Sequence, residues 1–407
     1  MATLHTQGAR LQERLQTMAG FGALANGGCN RQALTAEDAA GRDCFINWCQ
    51  ALGGLPRRDS MGNLFVRFTG SQPELLPILL GSHLDTQPTG GRYDGVYGVL
   101  AALEVLHSLQ DAGHRLRRTV ELAVWTNEEG ARFAPAMMGS GVFAGVFEQA
   151  ELYQHRDQQG ISLRQALEAS GQLGSEPCQP FAFHAALELH IEQGPVLERA
   201  GLPIGVVTGV QGMHWYEVII QGQSVHAGPT PMALRTDPVQ ALMQLLPQLY
   251  GRVAEAGEEA RLTVGSITTS THATNTVPPQ VRFTLDLRHP QQAVLEALAA
   301  WVEDKCTLSL GALQIRIRPL WRSPAVAFDA GCQAAIAQAC DQLGLAHHHL
   351  VSGAGHDSVY LARLGPTGMI FIPCRDGLSH NEQEYATPEH LQQGADVLLH
   401  TLLTLDQ

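Results

Sequence analysis

The chain has 407 residues, of which 44% are hydrophobic and 16% are charged, and its formal net charge is −13. This length exceeds a comfortable single hydrophobic core, so we expect two domains. The acidic charge argues against a nucleic-acid or anionic-membrane partner, since both need a basic patch, and no apolar run is long enough to span a bilayer.

The first half of the sequence alternates between helical and extended patterns. In chain order, the prediction is helices at 4–20 and 34–52, strands at 63–68 and 75–80, a helix at 96–109, a strand at 119–126, a helix at 160–171 and a strand at 185–191. Such alternation with short loops predicts an α/β fold with an open, mostly parallel sheet. The N-terminal helix is charged and lacks the apolar segment of a secretory signal. The eight cysteines are scattered without CxxC pairs, which indicates reduced thiols and a cytoplasmic protein.

The pattern changes near residue 209. Strands are predicted at 215–221, 261–269, 280–289 and 313–318, with helices at 237–254 and 291–305. This β-α-β-β-α-β order is that of the ferredoxin-like split βαβ unit. The alternative is that these elements continue the first sheet. We favour a separate inserted domain at 209–322, with 1–208 and 323–407 forming the other domain, where helices are predicted at 328–344 and from 387 and a strand at 366–373.

The stretch GSHLDTQPTGGRYDGVYG, residues 81–98, follows a buried strand and opens a helix. It brings His83, Asp85 and Asp94 into one Gly-rich loop. Imidazole and carboxylate are common ligands of divalent metals, and a metal-bound histidine usually needs a further carboxylate that fixes its tautomer. We therefore expect His83 and Asp94 to bind metal and Asp85 to orient His83. The alternative is an ordinary solvated loop.

Further potential ligands follow other predicted strands. The four strand ends carry His83, Glu128 with Glu129, His190 and His380. Each could be a structural histidine or a solvated glutamate, but in open α/β sheets sites form at the carboxyl ends of the strands, where all four would meet. Three histidines, Asp94 and one glutamate could hold two metal ions if Asp94 bridges them. The other glutamate could then serve as general base.

Several motifs carry a resemblance to a known family: GSHLDTQPTGGRYDG, WTNEEGARF, ELHIEQGPVLE, SVHAGPTPM, NTVPPQ with DLRH, SGAGHD and SHNEQE. As a set they resemble the dinuclear metal amidohydrolases that include N-carbamoyl-L-amino-acid hydrolases, β-ureidopropionases and allantoate amidohydrolases. The resemblance covers essentially the whole chain in the same motif order. That family belongs to the aminoacylase and di-zinc peptidase group. The resemblance therefore implies a catalytic α/β domain, an inserted ferredoxin-like dimerisation or lid domain, and a homodimer formed through the insert.

The resemblance also implies roles for individual residues at the metal site. His83, Asp94 and His190 would bind one divalent ion, and Asp94, as the bridge, would bind the other with Glu129 and His380. Zn²⁺ is the favoured ion, with Mn²⁺, Co²⁺ and Ni²⁺ as alternatives, because histidine and carboxylate ligands suit all four.

Catalysis and substrate binding are implied for a second set of residues. Glu128 would be the catalytic base, and His226 would reach the site from the partner subunit to stabilise the oxyanion. The implied substrate contacts are His226, Asn275 with Arg288 as a carboxylate clamp, Gln193, and the loop of Gly353 and Gly355. The apolar alternation along 281–287 leaves Arg288 on the polar face of its strand, and a guanidinium matches a carboxylate in a bidentate geometry.

The activity implied by the resemblance is cleavage of the ureido C–N bond of an N-carbamoyl-L-amino acid to the amino acid, CO2 and ammonia. β-Ureidopropionate and allantoate are rival substrates. A di-zinc aminoacylase or dipeptidase is a further alternative, since the Asn275 and Arg288 pair does not exclude it. A non-catalytic binding protein on the same scaffold would be expected to have lost a ligand or Glu128, and the sequence retains them all.

Overall fold

The computed structural model describes residues 4–271, 273–307, 309–310 and 313–407. The chain forms two compact units, one made of the residues up to Thr208 together with Ala327–Gln407, and the other of Gly209–Val326. The second junction thus follows residue 326, where we had predicted a boundary after 322.

The first segment of the larger unit alternates between helices and strands. In chain order its elements are α1 Gly8–Ala19, α2 Ala36–Ala51, β1 Leu55–Arg58, β2 Leu64–Phe68, β3 Ile78–His83, α3 Val96–Asp111, β4 Val120–Trp125, α4 Met138–Phe143, α5 Gln149–Leu152, α6 Leu163–Ala169, β5 Ala185–Ile191, α7 Val196–Ala200 and β6 Ile204–Val210. Local sequence sets several boundaries. The Thr35 side chain caps α2 by accepting from the Asp38 N–H, and Ser162 with Gln165 forms a capping box at α6.

The smaller unit is an antiparallel sheet with two helices. Its elements are β7 Gly212–Gln221, β8 Val225–His226, α8 Pro238–Glu255, β9 Arg261–Thr269, β10 Thr276–Val277, β11 Gln280–His289, α9 Gln292–Lys305, β12 Ser309–Leu310 and β13 Leu313–Ser323. The strand order is β12-β13-β7-β11-β9, while β8 and β10 form a separate pair. Val281, Phe283, Leu285 and Leu287 are all buried, so the alternation read from the sequence does define the inner face of β11.

The chain then returns to the larger unit. The remaining elements are β14 Val326–Ala327, α10 Ala330–Leu343, β15 His347–Ser352, α11 Ser358–Leu361, β16 Thr367–Ile372 and α12 Pro388–Leu405. Of the helices in the described parts of the chain, none is both long and apolar enough to cross a membrane.

The large sheet has the order β1-β2-β4-β3-β5-β16-β6-β14, with β15 also paired to β6. The central strands β4, β3, β5 and β16 run parallel to one another, while β1 pairs antiparallel with β2, β2 with β4, and β6 with β16. The sheet is therefore mixed, and the prediction of a mostly parallel sheet holds for its centre alone. The physical reason lies in the connections, because the five residues between β1 and β2 suffice for a hairpin but not for a parallel crossover.

The parallel centre of the sheet determines where the polar residues collect. His83 ends β3 opposite Trp125 of β4, and His190 lies in β5 opposite Phe371 of β16. Because parallel strands present their carboxyl ends at one edge, the segments that leave these four strands meet there. The core beneath this edge is apolar and includes the buried face of α3 and α12.

Candidate metal centre

Asp94 lies between two groups of potential metal ligands. Its Oδ1 is 3.1 Å from His190 Nε2 and 3.6 Å from His83 Nε2. Its Oδ2 is 3.4 Å from His380 Nε2, which is 3.2 Å from Glu129 Oε2. One group is His83, Asp94 and His190, and the other is Asp94, Glu129 and His380. Within each group, the potential ligand atoms lie within 4.8 Å of one another. The structure therefore brings together all five residues predicted to bind metal, with Asp94 common to both groups.

Two of the histidines are oriented by main-chain carbonyl groups. His83 Nδ1 donates to the Asp85 carbonyl oxygen at 2.9 Å, and His190 Nδ1 donates to the Ile191 carbonyl oxygen at 2.8 Å. In the neutral rings this leaves the lone pair on Nε2, the atom that faces Asp94. Both histidines are buried. The two rings are thus held in the tautomer that a metal ion requires.

In the absence of a metal ion, protons on the imidazoles balance the negative charge of the Asp94 and Glu129 carboxylates. Burial lowers the pKa of His190, but its hydrogen bond to Asp94 and the charges of Asp94 and Glu188 together raise the pKa to about 9. The hydrogen bond to Glu129 likewise raises the pKa of His380 to about 9. Burial disfavours the Asp94 carboxylate, yet the hydrogen bond to His190 and the nearby imidazoles hold its pKa well below the usual range. A divalent ion would take the place of these protons.

Asp85 acts differently from the prediction. Its carboxylate oxygen lies 4.0 Å from His83 Nδ1, and the contact that orients the imidazole comes from its main-chain carbonyl instead. The carboxylate accepts from the N–H groups of Glu128 and Glu129, at 3.3 Å and 3.2 Å. Burial raises the pKa of Asp85 to about 6. One residue therefore fixes both the histidine and the turn that carries the two glutamates.

The two glutamates of that turn have different surroundings. Gln87 holds Glu129 through its N–H at 3.1 Å from Oε1 and its side-chain amide at 2.8 Å from Oε2. Glu128 Oε2 lies 3.4 Å from His83 Nε2. Burial, followed by the charge of Asp357, raises the pKa of Glu128 well above its ordinary value. A carboxylate with a raised pKa is a better proton acceptor, so Glu128 suits the role of general base.

Three further side chains surround Asp94, and two of them, Ser379 and Glu384, were not assigned from the sequence. Gln193, predicted to contact substrate, donates its amide to Asp94 Oδ2 at 2.8 Å, while its own Oε1 is buried with no partner among the described residues. Ser379 donates to the same Oδ2 at 2.8 Å. Glu384 accepts from the N–H groups of Tyr93 and Asp94. Ser379 and Glu384 both lie in the SHNEQE motif, which was the available signal.

Glycine is required where the loop approaches these groups. Gly95 has φ +67°, and a Cβ there would lie 2.3 Å from His83 Nε2. A Cβ on Gly91 would lie 2.0 Å from Glu384 Oε1. The glycines of the predicted Gly-rich loop thus admit the histidine and the glutamate.

The loop after β15 contacts this centre through His356. The loop contains Gly353 and Gly355, and the buried ring of His356 then packs edge-on against His190, with 4.7 Å between the ring centroids. Asp357 is buried beside it and accepts from the Ser140 hydroxyl. The predicted glycine loop therefore adjoins the centre.

The remaining predicted residues belong to the smaller unit. His226 is exposed on β8 opposite Thr276, and the Ala227 N–H donates to the Asn275 carbonyl oxygen at 2.9 Å. Arg288 forms an ion pair with Asp286 at 2.7 Å. Within this unit, His226 and Asn275 are neighbours.

Comparison with known proteins places the chain in a family. Residues 79–404 match the model of Peptidase family M20/M25/M40. An N-carbamoyl-L-amino-acid amidohydrolase of Rhizobium meliloti is 41% identical over 97% of this chain and 95% of its own. An allantoate amidohydrolase of Bacillus subtilis is 36% identical over 97% of both chains. The crystal structure of a hydantoinase/carbamoylase family amidase from Burkholderia multivorans superposes with a TM-score of 0.93, at 43% identity over 99% of both chains. The chain is therefore a member of Peptidase family M20/M25/M40.

Proposed function

We propose that this protein is a metal-dependent amidohydrolase that cleaves the ureido C–N bond of N-carbamoyl-L-amino acids to give the amino acid, CO2 and ammonia. The observation that carries the proposal is the carboxylate of Asp94, shared between two groups of ligands, with buried Glu128 beside one of them. The substrate class is supported by the 41% identical relative from Rhizobium meliloti, which is named for this activity.

The donor atoms at the centre fit two divalent ions. His83 and His190 would hold one ion with Asp94, and Glu129 and His380 would hold the other with Asp94. Three imidazoles and two carboxylates suit Zn²⁺, our favoured ion, and also Mn²⁺, Co²⁺ and Ni²⁺. When bound, such a pair supplies a hydroxide at neutral pH and polarises a substrate carbonyl.

Glu128 is the residue that moves the proton. Its carboxylate lies 3.4 Å from His83 Nε2, a proposed metal ligand atom. Glu128 can therefore reach a water molecule that is held beside this atom. It takes the proton from this water as the water attacks the ureido carbonyl carbon, and it returns the proton to the leaving nitrogen. Its burial favours the protonated form, which makes the first transfer easier.

His226 is proposed to stabilise the oxyanion. Its Nδ1 accepts from the Gly228 N–H at 3.1 Å, so in the neutral ring the proton lies on Nε2. The exposed Nε2–H can therefore donate to a developing negative charge, a contact worth about 3 kcal/mol of barrier. Gln193 Oε1, the buried acceptor, is suited to a substrate N–H.

A homodimer explains the positions of the other substrate residues. His226 and Asn275 lie in connections that leave the end of the sheet where Gln221 pairs with Gln280, whereas Arg288 lies at the far end of the same strand, opposite Met213. Gln280 and Arg288 are eight residue steps apart in β11, which corresponds to about 26 Å of extended strand. This separation favours a carboxylate clamp in which Arg288 of one copy works with Asn275 of the other, through dimerisation by the inserted unit.

Allantoate is the second candidate substrate, because an allantoate amidohydrolase is 36% identical over nearly the whole chain. It also carries ureido groups and a carboxylate, so the same clamp would serve.

The deciding experiment measures ammonia release by the pure protein loaded with Zn²⁺ or Mn²⁺. The substrates are N-carbamoyl-L-methionine, its D enantiomer, β-ureidopropionate and allantoate. We expect the L compound to have the highest kcat/KM and the D enantiomer to be inert. Release from allantoate alone would replace our substrate with the second candidate.

A further inference from the structure

We infer that Glu384 is a positioning residue that holds the bridging carboxylate of Asp94 between the two metal sites. The inference rests on the proposed function in one respect, which is that Asp94 binds both ions. Glu384 itself is 4% exposed and belongs to neither group of ligands.

The contacts of Glu384 all lie on two loops that carry metal ligands. Its Oε1 accepts from the N–H of Tyr93 at 2.9 Å and from the N–H of Asp94 at 3.1 Å. Its Oε2 lies 3.0 Å from the hydroxyl of Ser379, which precedes the ligand His380. The same hydroxyl lies 2.8 Å from Asp94 Oδ2. Glu384 therefore connects the loop between β3 and α3 to the loop between β16 and α12.

The burial of this carboxylate needs an explanation. In the part of the chain that the structure describes, Glu384 has no ion-pair partner among the lysine, arginine and histidine side chains, and burying an unpaired carboxylate costs free energy. Gly91 is also placed so that the Glu384 Oε1 occupies the space of its missing Cβ. Glu384 has no charged partner among the described residues, but it binds the main-chain N–H of Asp94. It is therefore suited to fix Asp94 in place.

The two metal sites depend on Glu384 to different degrees. His83 and His190 are buried, and main-chain carbonyl groups fix their rings. The His380 side chain is 53% exposed, and its backbone has φ +53°. The site of Asp94, Glu129 and His380 therefore relies on the link through Ser379, so loss of Glu384 should weaken this site more than the other.

The test titrates metal-free protein with Zn²⁺ by calorimetry, in competition with a chelator. We expect wild type to bind two ions. Glu384→Ala should bind one ion 10- to 100-fold more weakly and weaken the binding of the other ion to a smaller extent. Glu384→Gln should stay within about threefold of wild type, since its amide oxygen can accept from the two N–H groups and its NH2 can donate to Ser379.

Two further measurements control for a general structural effect. Glu382→Ala changes a carboxylate of the same loop that contacts the Asn26 side chain, and it should leave both affinities unchanged. Hydrogen exchange of the Tyr93 and Asp94 amides in metal-free protein should accelerate at least tenfold in Glu384→Ala. If that variant does not fold, judged by circular dichroism, Glu384→Asp decides, because it keeps a carboxylate but is too short to reach the Tyr93 and Asp94 N–H groups.

Equal affinities for both ions in wild type and Glu384→Ala, or equal weakening in the alanine and glutamine variants, would overturn the inference. When Glu384→Ala is unfolded, wild-type affinities for both ions in Glu384→Asp would overturn the inference. None of these titrations uses a substrate. A wild-type protein that binds two ions but does not hydrolyse N-carbamoyl-L-amino acids would refute the proposed function and leave the role of Glu384 intact.

Discussion

Replacement of Gly95 by alanine tests whether a fixed His83 ring is essential to the first proposed metal site, that of His83, Asp94 and His190. Gly95 has φ +67°, and the new Cβ would lie 2.3 Å from His83 Cε1 and Nε2. Ordinary contact requires the buried ring to move by about 1 Å. That movement breaks the bond from Nδ1 to the Asp85 carbonyl and costs about 2 kcal/mol, in addition to about 1 kcal/mol for alanine in a left-handed conformation.

Gly113→Ala is the matched control, because Gly113 has φ +66° and no atom within 4 Å of a new Cβ. Urea unfolding of metal-free protein should therefore show losses of about 3 kcal/mol for Gly95→Ala and about 1 kcal/mol for Gly113→Ala. Zn²⁺ titration should show a 10- to 100-fold weaker first site in Gly95→Ala alone. Equal unfolding free energies and equal affinities in the two variants would refute the idea that the glycine makes room for His83.

Three other predictions follow from individual contacts. Glu128→Gln should bind two Zn²⁺ ions like wild type and lose turnover by 10²- to 10⁴-fold; near-normal kcat would remove Glu128 as the base. Asp85→Ala leaves the N–H groups of Glu128 and Glu129 without their acceptor, so it should destabilise the metal-free protein by about 2 kcal/mol, whereas an unchanged urea midpoint would contradict this role. If each active site combines residues of two copies, mixing the inactive His226→Ala and Arg288→Ala proteins should restore activity. Random subunit exchange should bring it to about a quarter of the wild-type level. If mass spectrometry shows exchange but activity does not recover, both residues belong to the same copy.

Much of this fold was accessible from periodicity, because its signals are local. The buried strands β3, β4 and β5 read as apolar runs, and the alternation along β11 is visible in the sequence. The sequence reading missed β6, IGVVTGV, which contains two glycines that weaken a strand pattern. Gly205 is nonetheless needed there, since a Cβ would lie 2.6 Å from the Leu350 side chain. A contact made by tertiary packing overrides the local preference.

The metal ligands of the site were easier to predict from the sequence than the residues that hold them in place. Residue type and strand-end position suggested His83, Asp94 and His190, since those signals are local to each strand. The role of Asp85 was assigned to the wrong atoms, because a sequence does not distinguish a carbonyl from a carboxylate as the partner of an imidazole. Glu384 was missed altogether, because its partner Tyr93 is 291 residues away along the chain.

The contacts order the two halves of the candidate metal centre in different ways. On the side of His83 and His190, the main-chain carbonyl groups of Asp85 and Ile191 orient the rings, so these two histidines need no side chain from another loop to fix them. On the side of Glu129 and His380, the ligands depend on side chains from separate loops, such as Gln87 and Ser379. Asp94 belongs to both halves. Its Oδ1 faces the two oriented histidines, while the Gln193 amide and the Ser379 hydroxyl hold its Oδ2, so Asp94 couples the two halves.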